Sequence, residues 1–214
     1  SKLQTDVSVG LTRDVATQRR EEAGGFNVVD PPLKCPGWVC CLLPCIKSIP
    51  SMKAFKSIQP EDAEVLRDGG KWTRYDASSC VVGDIIRLEE GDVVPADCVL
   101  LGTDDEEEDG SSVLVDLRTL TGEIKPRAVT LNNDSDNNKL IKLYFGGRVL
   151  QGSGLLAVVT ATGNQTLLGK LIAAKKFPPK SSFEVQEALG MMTDEDDDDD
   201  DGQGIALTTQ QEVV

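Results

Sequence analysis

The pattern of apolar and polar residues changes near residue 57, where short apolar runs separated by turn residues begin and continue to about residue 161. Residues 64–67 form the first run, and residues 71–76 alternate polar and apolar side chains, as a strand with one exposed face does. Asp68-Gly69-Gly70 lies between them and is typical of a tight turn. The pattern therefore predicts a β-hairpin at the start of a domain of short strands.

Two further pairs of apolar runs follow, each around a turn that contains glycine. They are residues 81–88 and 93–101 around Gly91-Asp92, and residues 143–150 and 155–161 around Gly152-Ser153-Gly154. Thr166 is then an N-cap candidate for a helix that fades near residues 177–179. Residues 57–176 are therefore predicted to form a mainly β domain that closes with a short helix.

The two ends of the chain have a different composition. Residues 1–30 contain few large apolar side chains, so burial cannot offset the entropy of ordering them, and we expect disorder there. Residues 177–214 are expected to be a disordered acidic tail, because they contain the acidic run of residues 194–201. Residues 104–109, also acidic, and the polar residues 132–138 are predicted to be solvated loops.

Residues 31–56 form a cysteine-rich apolar segment that contains Cys35, Cys40, Cys41 and Cys45. The spacing departs from the paired Cys-x-x-Cys of zinc sites, and nothing else indicates a secreted disulfide scaffold. We favour attachment to a membrane surface, with acyl chains on these cysteines and nearby lysines facing anionic lipid. A short apolar segment packed on the main domain, or the remnant of a transmembrane hairpin, is an equal alternative. The apolar run itself is too short to span a bilayer.

Charge and composition exclude several classes of function. The net charge of −14 excludes a general phosphate-backbone binder of nucleic acid. The chain has no histidine, so proton transfer has to use a carboxylate. No spaced ligand set predicts a metal or cofactor site, and the acidic runs lack the order of a calcium loop. Cys80 and Cys98 lie in apolar runs and are expected to be small buried side chains.

Residues 115–126 carry the strongest candidate chemistry. Thr121-Gly122-Glu123 follows an apolar run, so a carboxylate projects from a turn beside a glycine that allows another surface to approach. This stretch resembles the actuator-domain signature of the P-type ATPases, which has Val-Asp, then Leu-Thr-Gly-Glu, then proline three residues after the glutamate. The family usually has serine where this chain has Ile124.

Other blocks resemble the same family. Val82-Gly83-Asp84 and Gly91-Asp92-x-x-Pro95-Ala96-Asp97 match motifs that precede Thr-Gly-Glu, and the family's Thr-Gly-x-x-Thr-x-x-Gly-Lys matches residues 162–170. The resemblance covers residues 57–176. Gly147 is a second departure, because threonine is common there. The resemblance implies a distorted jelly-roll, or double-stranded β-helix, fold.

The resemblance also implies roles for three residues. In the family, an aspartate of another domain is phosphorylated by ATP, and the actuator brings its Thr-Gly-Glu loop to that aspartyl phosphate. By this resemblance Glu123 would position and deprotonate the attacking water, Gly122 would let the backbone approach the phosphate, and Thr121 would support the turn. The matches elsewhere are expected to be structural: the glycines and Asp92 make tight turns, Pro95 ends a strand at a sheet edge, and Asp97 binds nearby backbone amides.

The sequence contains no Asp-Lys-Thr-Gly-Thr phosphorylation motif and no phosphate loop, so it is not expected to be an ATPase on its own. Three hypotheses follow. The chain is a regulatory or interaction module on the cytosolic face of a membrane, with a P-type ATPase phosphorylation domain or another membrane protein as its partner; or it is a fragment or split half of a cation pump; or it is a structural domain without activity. The acidic tail before Val214 is typical of a natural end, which favours the first.

Overall fold

The computed structural model describes residues 5–34, 48–104, 112–130 and 141–190. Several segments discussed above lie outside these ranges. They are Cys35, Cys40, Cys41 and Cys45, residues 105–109 of the first acidic run, the loop of residues 132–138, and the acidic run of residues 194–201. The predictions for these segments therefore stay predictions.

Within the described ranges the chain forms nine strands in two antiparallel sheets. The strands are β1 (Asp62–Arg67), β2 (Lys71–Asp76), β3 (Ile85–Leu88), β4 (Asp97–Thr103), β5 (Ser112–Asp116), β6 (Arg127–Thr130), β7 (Lys142–Leu143), β8 (Arg148–Gln151) and β9 (Leu155–Ala161). The larger sheet has the order β2-β1-β3-β9-β4-β7, and the smaller has the order β6-β5-β8. The mainly β fold that the sequence predicts is confirmed.

The same ranges contain short helices. They are α1 (Arg13–Glu22), α2 (Pro50–Ser57), α3 (Arg118–Thr121), α4 (Leu167–Ala173) and α5 (Ser182–Ala188). Thr166 caps α4 as predicted, because its Oγ1 accepts a hydrogen bond of 3.2 Å from the amide of Gly169. None of the helices in the described part of the chain is long and apolar enough to cross a membrane.

The predicted first hairpin is confirmed. β1 and β2 pair along their whole lengths. Asp68, Gly69 and Gly70 in the turn have φ angles of 52°, 83° and 91°. Glycine adopts such left-handed angles without steric cost, which explains why this sequence turns here.

β9 lies between β3 and β4 in the larger sheet. The Gly152-Ser153-Gly154 turn joins it to β8, as the sequence predicts, but β8 belongs to the smaller sheet and pairs with β5. The turn is therefore a crossing from one sheet to the other rather than a hairpin. A local pattern predicts the two strands but not their partners, because strand pairing is decided by distant segments.

One apolar cluster joins both sheets and α4. Its fully buried members include Val65, Ile86, Val113, Val115, Val149, Val159, Leu168 and Leu171. Cys80 and Cys98 are also in this cluster and are free thiols, as expected from their apolar contexts. Burial raises the pKa of Cys80 to about 12 and that of Cys98 well above its ordinary value, so both thiols are unreactive at neutral pH.

The structure corrects the prediction of disorder over residues 1–30 for the part that it describes. Thr12 caps α1 through a 3.4 Å hydrogen bond from the amide of Val15. Leu11 and Ala16 are buried and pack with Val81. These small contacts escaped the sequence analysis because the segment has few large apolar residues to mark it.

Asn27 attaches the same segment by polar contacts. Its side chain donates to the carbonyl oxygens of Ala77 at 3.0 Å and Pro95 at 2.8 Å, and it accepts from the amide of Gly163 at 2.8 Å. The side chain is buried, with 4% of the residue exposed. Buried hydrogen bonds to three separate segments therefore hold residues near 27 in place, together with Val29, which is buried in the main cluster.

The prediction of a disordered tail from residue 177 is likewise corrected for residues 177–190. Phe177 and Val185 are buried in the main cluster, and Lys176 forms an ion pair with Glu187 of α5. α5 contacts both α3 and α4. The acidic composition of the more distant residues had masked this short amphipathic helix.

The larger sheet contains a buried ion pair. Both oxygens of Asp84 accept from Arg67, at 2.9 Å from Nε and 2.6 Å from Nη2. Asp84 also accepts a 2.8 Å bond from the amide of Val81, and Arg67 donates to the carbonyl of Ser79 at 3.1 Å. The two side chains are 0% and 6% exposed. The charges are thus paired and multiply hydrogen-bonded, which offsets their desolvation.

A second buried carboxylate, that of Asp97, joins three segments. It accepts from the amide of Phe145, before β8, at 2.9 Å and from the amide of Leu167, the first residue of α4, at 2.7 Å. Burial raises the pKa of Asp97 to about 6, although these amides and Lys170 favour its charged form. The expectation that Asp97 binds nearby backbone amides is confirmed.

We expect Asp84→Asn to lower the free energy of unfolding by about 3–5 kcal/mol, because it leaves the Arg67 charge buried without its partner. Asp62→Asn is the control, since Asp62 pairs with Arg74 at the surface, where the side chains are 50% and 58% exposed. This change should cost less than about 1 kcal/mol. Urea unfolding of both variants measures the difference. Equal losses would contradict the importance of the buried pair.

We expect the stability of the wild type relative to Asp97→Asn to fall as the pH rises from 4 to 6. The folded pKa of Asp97, about 6, lies above its ordinary value of 3.8, so in this window the unfolded chain releases a proton that the folded chain keeps. The relative loss amounts to about 3 kcal/mol. Urea unfolding of both proteins between pH 4 and 8 measures it. A difference that does not change with pH would contradict the shift.

Candidate functional site: the Thr-Gly-Glu loop

The Thr-Gly-Glu loop begins at the end of β5. Asp116, the last residue of β5, accepts hydrogen bonds from the amide of Arg118 at 3.1 Å and from its guanidinium at 2.9 and 2.6 Å. These bonds lower the pKa of Asp116. Leu117 and Leu120 are 1% exposed and anchor the short helix α3 in the core. The apolar pair and the acidic side chain together turn the chain from strand into helix.

α3 ends at a left-handed glycine. Gly122 has φ 67° and ψ 8°, and its amide donates to the carbonyl of Arg118 at 3.0 Å. Thr121 is 5% exposed, and its Oγ1 donates to the carbonyl of Leu117 at 3.0 Å. The threonine therefore binds the backbone of its own turn, and the glycine supplies the αL conformation that ends a helix.

Glu123 follows directly and is paired with Arg127. Oε1 of Glu123 lies 2.5 Å from Nη2 of Arg127, and the two side chains are 32% and 39% exposed. Arg127 is the first residue of β6 and stands opposite Val115 of β5 in the sheet. The guanidinium thus comes from a strand of the sheet, and it fixes one oxygen of a carboxylate that lies on the loop.

Ile124 is at the exposed tip of the loop, with 90% of its surface accessible. Residues 123–127 line an open depression of about 530 Å³ around it. Because Ile124 contributes nothing to the core, the loop folds without the serine that the family usually has at this position. The departure changes the surface of the loop and not its backbone support.

A smaller cavity of about 170 Å³ lies on the other side of Glu123. It is lined by Thr121, Glu123, Arg127, Tyr144, Ser182, Val185 and Gln186. Burial raises the pKa of Tyr144, with Glu123 adding to the effect and Arg127 opposing it. A carboxylate, a guanidinium and a phenol therefore share one small space, and α5 supplies one of its walls.

The structure places the three predicted residues in one turn, but it adds partners that the sequence analysis missed. Arg127 could have been found from its opposite charge four residues after Glu123. Tyr144 and the residues of α5 gave no such signal, because they are distant in sequence. Among the described residues, no group of His, Cys, Asp and Glu side chains is arranged to hold a metal ion.

Gly147, the second departure from the family pattern, has a local cause. A Cβ atom built there would lie 2.6 Å from Cδ2 of Leu117 and 3.1 Å from the carbonyl oxygen of Tyr144. Leu117 is the buried residue that precedes α3. In this chain the glycine makes room for the leucine that anchors the Thr-Gly-Glu loop, so a threonine would need the Leu117 side chain to move.

This fold and this loop define the class of the protein. A sequence profile of the P-type ATPase actuator domain matches residues 57–176, which is more than half of the chain. The range ends after α4 and includes both sheets and the loop. The chain belongs to the P-type ATPase actuator domain family.

Its relatives are cation-transporting ATPases. The chain is 33% identical over 127 residues to a sodium/potassium-transporting ATPase subunit alpha of Hydra vulgaris, and 32% identical over 127 residues to the alpha-3 subunit of Homo sapiens. It is 34% identical over 111 residues to a putative cation-transporting ATPase of Methanocaldococcus jannaschii. These matches cover 58%, 58% and 52% of this chain but only 11%, 12% and 12% of the relatives.

We expect Gly122→Ala to lower the free energy of unfolding by about 1–2 kcal/mol, because an L residue is strained at φ 67°. The new Cβ would also lie 3.2 Å from the amide nitrogen of Ser181 and 3.3 Å from the carbonyl oxygen of Pro179. Gly69→Ala is the matched control, since Gly69 has φ 83° with no atom within 4 Å of its Cβ position. Thermal unfolding should show the larger loss at Gly122. A larger loss at Gly69 would contradict the contact with residues 179–181.

Proposed function

We propose that this chain performs the actuator step of a P-type cation-transporting ATPase cycle. In this step Glu123 positions and deprotonates the water that attacks an aspartyl phosphate supplied by another domain. The observation that carries the proposal is the pairing of Glu123 with Arg127 directly after the left-handed Gly122. The half-exposed carboxylate is thereby held at the edge of a glycine turn, where a phosphorylated surface can meet it.

The chemistry suits a carboxylate. Water is a poor nucleophile, and a positioned general base accelerates its attack by roughly 10²–10⁴-fold. Arg127 binds Oε1 of Glu123, and within the described residues no donor binds Oε2. The arginine therefore fixes the orientation of the carboxylate, and Oε2 is left to accept a hydrogen bond from the attacking water.

Ile124 modifies this step without removing it. The serine of the family pattern would offer a hydroxyl donor beside the glutamate, and isoleucine has none. Because the side chain of Ile124 is exposed, its effect falls on contacts with the approaching phosphate or its protein surroundings. We infer that the reaction is slower than it would be with serine at position 124, and that the role of Glu123 is the same.

The phosphorylated aspartate has to come from outside these 214 residues, since the sequence has no Asp-Lys-Thr-Gly-Thr motif. We propose that it belongs to a P-type ATPase phosphorylation domain, either in another chain or in a further part of a longer one. The relatives named above transport sodium and potassium or other cations, so a cation pump is the class of partner that we propose. Acylation of Cys40 and Cys41 would keep the domain at the membrane where such a partner lies.

We expect the purified chain to accelerate dephosphorylation of a cation pump whose own actuator domain has been deleted. Glu123→Gln should slow this reaction by about 10²–10⁴-fold, because the amide keeps the shape of the side chain but cannot accept the proton. Release of labelled phosphate from the phosphoenzyme measures the rate. Glu61→Gln is the control, since Glu61 is exposed and lies outside the loop.

The competing hypothesis, an interaction module without activity, gives a different result. Wild type and Glu123→Gln would then bind the pump equally well, and neither would change the rate of phosphate release. Equal rates with a folded, bound domain would therefore overturn the catalytic proposal and leave the regulatory one.

A further inference from the structure

The segment of residues 177–190, which we name the covering segment, lies outside the matched actuator range and yet contacts the Thr-Gly-Glu loop. Its backbone at Pro179 and Ser181 lies 3.2–3.3 Å from the position that a Cβ of Gly122 would take. In the proposed function, the glycine leaves space for a phosphorylated surface to approach. Here part of the space beside it is filled by the chain itself.

The covering segment also closes one side of Glu123. Ser182, Val185 and Gln186 of α5 form the wall opposite Glu123 and Arg127 in the 170 Å³ cavity. This volume is enough for several water molecules. It has no room for the loop of another domain, so an aspartyl phosphate cannot reach Glu123 from this side while α5 is in place.

The attachment of the covering segment is weak compared with that of the neighbouring helix. α4 buries Leu167, Leu168 and Leu171 completely, whereas α5 buries Val185 alone among its own residues. Ser181 makes no side-chain cap, and Phe183 on the same helix is 55% exposed. Besides Val185, only the partly buried Ala188 and Leu189 and the ion pair of Glu187 with Lys176 attach this helix, so it detaches more easily than the core unfolds.

We propose that the covering segment is an autoinhibitory cover: it closes the α5 side of the Thr-Gly-Glu loop, and its detachment speeds the approach of an aspartyl phosphate to Glu123. The inhibitory effect rests on the function proposed above, whereas the contact of the segment with the loop does not. A partner that binds the surface under the segment would displace it, and its apparent affinity would be reduced in proportion to the fraction of molecules that are uncovered.

The experiment measures access to residue 123 directly. Glu123→Cys is introduced in the full chain, and the rate at which a maleimide labels this residue is followed by peptide mass spectrometry, so that the other cysteines do not interfere. Val185→Ala and Val185→Asp loosen α5 in increasing order, and Phe183→Ala is the matched control on the exposed face of the same helix. Tryptic cleavage after Lys180 reports detachment of α5.

We expect labelling to rise several-fold from the parent through Val185→Ala to Val185→Asp, in step with cleavage after Lys180, and to stay unchanged in Phe183→Ala. Labelling that is equal in all variants, or that falls with Val185→Asp, would overturn the proposal. Equal cleavage and labelling in the parent and Val185→Asp would overturn it as well, because α5 would then not depend on Val185.

The second arm uses the same Val185 variants with Glu123 intact in the phosphate-release assay. Autoinhibition predicts that the rate rises in the same order as the labelling. A rate that falls while labelling rises would show that α5 supports the loop, and the proposal would fail. If no variant, including the wild type, accelerates phosphate release while labelling still rises, the proposed function fails and the cover is upheld.

Discussion

The carboxylate of Asp97 is the constraint on which the geometry of the site depends. By accepting one amide before β8 and another at the start of α4, it fixes two segments that are far apart in sequence against the same strand. Tyr144, beside Phe145, then faces the Glu123 cavity, and α4 is positioned to receive α5. The cost of burying this carboxylate appears in its raised pKa of about 6. An ionised carboxylate is needed here, because no neutral side chain of similar size can accept one amide hydrogen bond on each of two oxygens.

Local signals in the sequence predicted local structure well. The turn at residues 68–70 and the cap at Thr166 depend on a few adjacent residues, so both could be recognised without knowledge of the fold. The pairing of β8 and the order of segments around Asn27 depend on residues tens of positions away. Residues 5–30 are held by polar contacts and by a few scattered apolar side chains, Leu11, Ala16 and Val29, which form no periodic pattern in the sequence.

The residues of the candidate site also divide into those with a local signal in the sequence and those without one. Thr121, Gly122 and Glu123 were recognised because the family motif is contiguous, and the structure gives each a physical reason in the cap, the left-handed turn and the ion pair. Arg127 is close enough in sequence that its charge was a usable signal. α5 gave none, because its short apolar face is followed by an acidic run that dominates the composition of the tail. The helix that lines the smaller cavity beside Glu123 was therefore not predicted from the sequence.

The central place of β9 has a consequence for synthesis of the protein. Of the strands in the described residues this one is the last to be made, yet it separates β3 from β4 and supplies hydrogen bonds to both. While the chain emerges from the ribosome, the hairpin of β1 and β2 can form early, but the larger sheet stays open until residue 161 is available. Closure then requires contacts between segments of large sequence separation, which is a slow class of folding event. Until that moment two strand edges are exposed, and nascent chains halted before β9 are the species most prone to aggregate.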